Sequence, residues 1–184
     1  MAWMRKAACD MAGQFLYQTI EALEQAGFLQ DMPGFIEAGL SQRIVLRDYQ
    51  RKAFQYFVTY YENDNLRKNR QVHNLFHMAT GSGKTVIMAG LILYLYTRGY
   101  RKFLFFVNQT NILAKTKENF LNPASGKYLF AENLEILGEQ IAIREVQNFS
   151  SADDRAINIC FTTTQKLHLD LNFSKENSVT IEDF

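Results

Sequence analysis

The sequence has little cysteine and little proline. The cysteines, Cys9 and Cys160, stand far apart, and neither belongs to a Cys-x-x-Cys pair. A disulfide framework and a zinc site built on cysteine are therefore excluded, and a reduced compartment, the cytoplasm, is expected. Only 2 prolines are present, which leaves room for long uninterrupted helices.

An excess of one charge and a long apolar run are also missing. The chain carries 20 Lys and Arg residues against 19 Asp and Glu residues, which gives a net charge near +1 at pH 7. A protein that coats a polyanion would be far more basic, so any contact with nucleic acid must be local. The longest apolar run is too short to span a bilayer, and no signal-peptide core is visible. The sequence indicates a soluble protein without a membrane association.

The chain of 184 residues is 47% hydrophobic and 14% aromatic, which is enough to bury the core of one domain. Residues 1–42 predict a helical N-terminal appendage, because apolar positions recur at helical spacing over 14–29 and a turn sequence follows at 31–34. Residues 43–184 predict the main domain.

Strand and helix patterns alternate through the main domain. This rhythm is typical of an α/β fold with a parallel sheet. The strand at 102–107 is a continuous apolar run, which predicts burial on both faces. The predicted elements are a helix around 53–61 capped by Asp48, a strand at 74–79, an apolar helix after Gly83, the strand at 102–107, a helix over 110–121, short strands at 134–137 and 141–146, and a strand at 156–161.

A Gly-Ser-Gly-Lys-Thr sequence lies between the strand at 74–79 and the apolar helix. Phosphates need several converging donors, and the N–H groups of a helix N-terminus supply them with a favourable dipole. Gly81 and Gly83 allow a close backbone approach, Lys84 would reach the β- and γ-phosphates, and the Thr85 hydroxyl would ligate Mg²⁺. The alternative is an ordinary turn with a solvated lysine. The predicted nucleotide-binding residues are Thr80, Gly81, Ser82, Gly83, Lys84 and Thr85, with Lys84 also catalytic.

The sequence Met-Ala-Thr-Gly-Ser-Gly-Lys-Thr at 78–85 resembles motif I of superfamily 2 helicases and translocases. Upstream, Leu46-Arg47-Asp48-Tyr49-Gln50 resembles the glutamine motif of that family. The resemblance implies that the Gln50 amide reads adenine and that Arg47 reaches the nucleotide, although each residue alone suits an exposed surface. Met78 stands where motif I often has glycine, which points to a subgroup.

Two downstream stretches follow in the family's order. Residues 106–113 resemble motif Ia and residues 156–167 resemble motif Ic, which hold the phosphates of a nucleic-acid track. Both lie where a predicted strand ends and a helix begins, the rim at which such sheets bind ligands. Polar clusters are also common in ordinary loops. The residues that the resemblance implies for phosphate contacts are Asn108, Gln109, Thr110, Thr163, Thr164 and Gln165.

The loop sequence at 78–85 and Asn-Gln-Thr-Asn-Ile-Leu at 108–113 are most similar to the helicase (Res) subunit of type III restriction enzymes. The resemblance covers residues 43–184. It implies a RecA-like motor domain of an ATP hydrolase, with ATP and Mg²⁺ as cofactors. It also implies double- or single-stranded DNA as the track, and a methyltransferase or specificity subunit as the partner in a restriction endonuclease.

No apolar strand of this sequence ends in the Asp-Glu pair with which the family supports Mg²⁺ and positions the attacking water. We therefore expect the front part of a first motor domain, truncated before motif II. We expect it to bind ATP with Mg²⁺ weakly, without turnover. An incomplete sheet has unpaired edges and an exposed apolar face, so we also expect either a rearranged fragment that self-associates or a chain end made by cleavage of a longer protein.

Two other classes of protein stay open at this point. Another P-loop enzyme, such as a small kinase or a GTPase, would share the sequence at 78–85, which we call the glycine loop. Gln50 and the polar stretches after the strands argue against it, and the sequence holds no Asn-Lys-x-Asp guanine reader. A non-catalytic nucleotide-binding or decoy module would explain the missing Asp-Glu pair.

Overall fold

The computed structural model describes residues 3–6, 15–68, 71–172 and 178–180. The chain divides into two compact units, one of Met1–Glu37 and Val45–Met88 and the other of Ala38–Ile44 and Ala89–Phe184. The elements in chain order are β1 (Trp3–Lys6), α1 (Leu16–Gln25), α2 (Gly34–Gly39), α3 (Asp48–Glu62), α4 (Asp64–Arg67), β2 (Asn74–His77), α5 (Lys84–Thr97), β3 (Lys102–Val107), α6 (Thr110–Leu121), β4 (Glu135–Ile136), β5 (Glu139–Gln140), β6 (Ile143–Val146), β7 (Ile157–Thr163) and α7 (Thr164–Asn172).

Helix α3 forms the core of the first unit. Its apolar residues at 53, 54, 57 and 58 recur at helical spacing, and all four are buried. The Tyr56 hydroxyl donates to Glu24 of α1 at 2.6 Å, and the Arg51 guanidinium binds both oxygens of Glu37 at 2.5 Å. These polar contacts attach α1 and α2 to α3.

The start of α3 differs from the prediction. Asp48 is the first residue of the helix and not its cap, because the N-cap position belongs to Arg47. The side-chain oxygen of Gln50 accepts a hydrogen bond from the Arg47 N–H at 2.9 Å. A glutamine at the third helical position thus satisfies an N–H group that has no partner within the helix.

Strand β2, which leads into the glycine loop, pairs antiparallel with β1, with Trp3 opposite His77 and Lys6 opposite Asn74. Among the described strands, these two form a sheet of their own. The sequence did not predict a strand at 3–6, since no alternation marks it. Residues 7–14 of the predicted appendage lie outside the described residues, and the domain boundary at 42–43 stays a prediction.

The second unit contains a three-stranded parallel sheet in the order β3-β7-β6. The central strand β7 is buried along almost its whole length. The fully buried ring of Phe120 from α6 lies 6.3 Å from the ring of Phe105 and 6.0 Å from that of Phe161. This arrangement confirms the predicted α/β fold with a parallel sheet.

The prediction that β3 is buried on both faces is wrong. β3 lies at one edge of the sheet, and Phe106 is 51% exposed. An apolar run reports what each side chain prefers, but it does not report whether other elements cover both faces of the strand. In the described part of the chain, no helix is long and apolar enough to cross a bilayer.

A buried amide fixes the start of the parallel sheet. Asn158 is fully buried, and its Nδ2 donates to the carbonyls of Arg101 at 3.1 Å, Asp153 at 2.8 Å and Ala156 at 3.1 Å. Its Oδ1 accepts from the Asp153 N–H at 3.0 Å. Every hydrogen-bonding group of this amide has a partner, so its burial does not leave a polar group unsatisfied.

Candidate nucleotide site and strand-end loops

The glycine loop has the strand, loop and helix context that the sequence predicted. β2 ends at His77, Met78 is buried at 8% exposure, and α5 begins at Lys84. Gly81 and Gly83 have φ angles of 79° and 84°. Side chains of L residues rarely tolerate this backbone conformation, so both positions favour glycine.

The Lys84 ammonium lies within the curl of the loop. Its Nζ donates to the carbonyl oxygens of Met78 at 3.1 Å and Ala79 at 2.9 Å, while the Ser82 hydroxyl donates to the Ala79 carbonyl at 2.7 Å. An ammonium has three donors, so one is left for a ligand. Lys84 and Thr85 begin α5, and N–H groups in a first helical turn have no acceptor within the helix. A charge and several amide donors therefore meet at this loop.

The structure brings Gln50 of the glutamine motif to the loop. Gln50 is 6% exposed, and its Nε2 donates to the Ser82 carbonyl at 3.0 Å. A Cβ placed on Gly83 would lie 2.3 Å from Gln50 Nε2. Glycine at 83 thus serves the close approach of Gln50 as well as the backbone conformation.

Sequence reasoning missed Tyr49. The Tyr49 hydroxyl donates to the Ser82 carbonyl at 2.9 Å and accepts from Arg47 Nη1 at 3.3 Å. Tyr49 stands inside the stretch that suggested the glutamine motif, but no pattern in the sequence singles out its hydroxyl. The predicted residue Arg47 thus reaches the loop through Tyr49.

The loop carries groups of the kind that a triphosphate with Mg²⁺ requires. Thr80 and Gly81 are exposed, and Thr85 lies half-buried in the first turn of α5. The Thr85 hydroxyl offers one hard oxygen ligand. Among the described residues, no group of three or more His, Cys, Asp or Glu could hold a metal ion. Mg²⁺ commonly uses few protein ligands together with phosphate oxygens and water, so a metal bound here would depend on the nucleotide.

The strand-end loops, residues 108–110 and 163–165, belong to the second unit. The register pairs Val107 of β3 with Thr163 of β7, so the two strands end level. The Thr164 hydroxyl donates to Asn108 Oδ1 at 2.6 Å. The structure therefore joins one residue predicted from motif Ia to one predicted from motif Ic.

The other strand-end residues have different surroundings. The Thr163 hydroxyl accepts from the Lys166 N–H at 3.1 Å and so caps the start of α7. Gln109 is the N-cap residue of α6, where its side chain makes no capping hydrogen bond. Gln109, Thr110 and Gln165 are exposed. Exposed amide and hydroxyl groups beside two helix N-termini suit an anionic backbone.

Cys160 of the second unit lies in a packed environment. Cys160 lies in β7, is 3% exposed and donates its thiol hydrogen to the Gln147 carbonyl at 3.3 Å. Burial raises the pKa of this thiol. A thiol that stays protonated is a poor nucleophile, so Cys160 serves packing.

Most of this chain is similar to known proteins. Residues 43–183 match the family described as type III restriction enzyme, res subunit. The chain is also 42% identical over 170 residues to a probable type III restriction-modification enzyme HindVIP Res subunit from Haemophilus influenzae, a match that covers 90% of this chain. The chain spans about a third of that relative, 32% of its length. No solved structure matches the chain significantly. Since the family match covers most of the sequence, this chain belongs to the family of type III restriction enzyme res subunits.

Proposed function

We propose that this chain is the ATP-binding front part of a motor domain in a DNA-dependent ATPase, a helicase or translocase of a cytoplasmic restriction system. The main support for the proposal is the arrangement of groups in the glycine loop. It combines the Lys84 ammonium, two glycines at positive φ and the start of α5. This combination suits the tail of a nucleoside triphosphate.

Different residues of the first unit would bind different parts of the nucleotide. The remaining N–H donor of Lys84 and the amides that open α5 would hold the phosphates, while Thr85 would give Mg²⁺ one oxygen ligand. Bound Mg²⁺ would neutralise part of the phosphate charge. Gln50 has one donor and one lone pair beyond those it already uses, which leaves it able to read adenine. Arg47 is exposed and would lie on the side of the nucleotide base.

We expect binding without turnover from these 184 residues. The sequence contains no Asp-Glu pair at the end of a strand, and this pair would position the attacking water. The same absence favours, as a second candidate, a non-catalytic nucleotide-binding module. ATP hydrolysis above background that disappears in Lys84→Ala would contradict both statements.

The strand-end loops are the proposed contact with a DNA backbone. Asn108 and Thr164 are joined by a hydrogen bond, and their neighbours Gln109, Thr110 and Gln165 are exposed. The net charge near +1 argues that such a contact is local. The relative's name describes a restriction-modification enzyme, which supports a methyltransferase or specificity subunit as the partner of the whole protein.

The proposal is tested by titrating a fluorescent ATP analogue in the presence of Mg²⁺. Lys84→Ala removes a charge-assisted contact, so we expect affinity to fall about ten- to a hundredfold. Lys127→Ala is the matched control, because Lys127 is an exposed lysine of the second unit. Equal affinities of the wild type and Lys84→Ala, or no binding by the wild type at millimolar nucleotide, would refute the proposed site.

A further inference from the structure

The Ser82 carbonyl oxygen receives hydrogen bonds from two consecutive side chains of α3. The Tyr49 hydroxyl donates at 2.9 Å and Gln50 Nε2 donates at 3.0 Å. A carbonyl oxygen has two lone pairs, so these two donors saturate it. The Met78 and Ala79 carbonyls, by contrast, accept hydrogen bonds from side chains of the loop and of the first turn of α5.

The orientation of this carbonyl determines the orientation of the next amide. In a planar trans peptide, the C=O of one residue and the N–H of the following residue point in opposite directions. The Ser82 carbonyl points towards α3, so the Gly83 N–H points away from α3. Gly83 directly precedes α5, and its N–H therefore continues the row of amide donors in the first turn of that helix.

Nothing in Gly83 itself holds this peptide in place. Glycine adopts both signs of φ about equally well, so the peptide between Ser82 and Gly83 can rotate at little cost. Rotation would turn the carbonyl, instead of the N–H, towards an anion. The two donors from α3 are the contacts that oppose this rotation, and Arg47 Nη1 at 3.3 Å from the Tyr49 oxygen strengthens that hydroxyl as a donor.

We propose that Tyr49 is a positioning residue, which together with Gln50 locks the peptide between Ser82 and Gly83 so that the Gly83 N–H faces the phosphates. This inference rests on the triphosphate site proposed above. It adds to that site a residue that lies outside the glycine loop. Tyr49 acts through the phosphates and not through the base. It therefore supports ATP, GTP and inorganic tripolyphosphate equally, whereas any contact of Gln50 with adenine concerns ATP alone.

The test measures the affinity of the full 184-residue chain for tripolyphosphate, ATP and GTP, each with Mg²⁺, by competition with a fluorescent ATP analogue. Tyr49→Phe removes one of the two donors and keeps the ring. We expect affinity to fall about three- to tenfold, by the same factor for all three probes.

Tyr56→Phe is the matched control. Tyr56 is on the same helix, and its hydroxyl also makes one side-chain hydrogen bond, to Glu24 at 2.6 Å, in a different place. We expect Tyr56→Phe to lower the melting temperature and to leave the affinity for tripolyphosphate unchanged. A general loosening of α3 would instead reduce affinity in both variants.

Gln50→Met separates the two roles of the glutamine, because methionine has a similar length and no amide. We expect ATP affinity to fall further than tripolyphosphate affinity. The double variant Tyr49→Phe/Gln50→Met leaves the Ser82 carbonyl without either donor. Its loss of tripolyphosphate affinity should exceed the product of the two single losses, because each single variant retains one donor.

The proposed positioning role of Tyr49 would be overturned if Tyr49→Phe bound tripolyphosphate as tightly as the wild type. It would also be overturned if this variant lost affinity for ATP alone. These results differ from failure of the nucleotide site as a whole. In that case the wild type itself would not bind tripolyphosphate, and Lys84→Ala would have no effect.

Discussion

The glycine loop and the strand-end loops use their polar groups in different ways. In the glycine loop, the Lys84 ammonium and the Ser82 carbonyl are each held by two hydrogen bonds to groups of the same unit. In the strand-end loops, one hydrogen bond joins Asn108 to Thr164, while Gln109, Thr110 and Gln165 are exposed. A site whose donors are already held in place loses little conformational freedom on binding, whereas an open site must be ordered by its ligand. We therefore expect the proposed phosphate site to be preformed and the proposed nucleic-acid contact to form on binding.

The largest effect should follow from a methyl group added to the preformed loop. In Gly83→Ala the new Cβ would lie 2.3 Å from Gln50 Nε2, at a φ of 84°. Backbone strain and a lost hydrogen bond together should lower the free energy of unfolding by about 2–3 kcal/mol and weaken ATP binding. Urea unfolding followed by circular dichroism measures the first effect.

Gly81→Ala is the matched control for Gly83→Ala. Gly81 has a φ of 79°, but no atom lies within 4 Å of its Cβ position. Only the strain remains, so we expect a loss of about 1 kcal/mol. Equal losses in the two variants would show that Gln50 is not held against the loop, and the contrast with the open strand-end loops would disappear.

A smaller effect is expected for Asn108→Ala in the strand-end loops. Loss of one neutral donor should weaken DNA binding about two- to tenfold, measured by fluorescence anisotropy. The factor should be the same for unrelated DNA sequences, because phosphate contacts carry no sequence information. The salt dependence should not change, since asparagine displaces no counterion.

Asn122→Ala is the control for Asn108→Ala. Asn122 is the C-cap residue of α6, the helix that follows Asn108, and its Nδ2 donates to Glu118 at 2.6 Å. We expect this variant to bind DNA as the wild type does. A loss of DNA affinity in Asn122→Ala but not in Asn108→Ala would move the contact away from the strand-end loops.

The smallest expected effect concerns the pH dependence of stability, through Glu24 of the first unit. Hydrogen bonds from Lys52 and then Tyr56 lower the pKa of Glu24, against the opposing effect of burial. A carboxyl group whose pKa is lower in the folded state stabilises the fold above its unfolded pKa of about 4.3, and this contribution is lost as the pH falls through the folded pKa. The pair is partly exposed, so Glu24→Gln should cost less than about 1 kcal/mol at pH 7.

Urea unfolding of Glu24→Gln and the wild type from pH 7 to pH 3 checks this sign. The difference in the free energy of unfolding between the two proteins should become smaller as the pH falls. Glu139→Gln, at an exposed position of β5, controls for the removal of one negative charge. A difference that grows towards acid pH would contradict the assigned direction.

Local patterns predicted much of the fold. The strand at 102–107 and the helix at 110–121 have the predicted bounds, and α5 begins directly after Gly83. Each of these elements is defined by neighbours in sequence, an apolar run or a glycine break. The pairing of β2 with β1 and the edge position of β3 depend on partners that are distant in the chain, and periodicity does not report them.

In the candidate sites too, the sequence predicted what depends on neighbouring residues and missed what depends on distant ones. The sequence identified the residues of the glycine loop from their order, and the structure brings Gln50 to them. It did not identify Tyr49, because a tyrosine on a helix has no distinctive spacing. The binding roles of all these residues stay predictions that the variants above address.

The amide of Asn158 has a consequence for the far end of the parallel sheet. It anchors the stretch before β3 to the stretch before β7, with Lys102 opposite Asn158 in the register. Parallel strands advance together, so alignment at their amino ends dictates which residues emerge side by side at their carboxyl ends. The hydrogen bond between Asn108 and Thr164 thus depends on an alignment to which a side chain that touches neither of them contributes, and a slip of one residue there would break it.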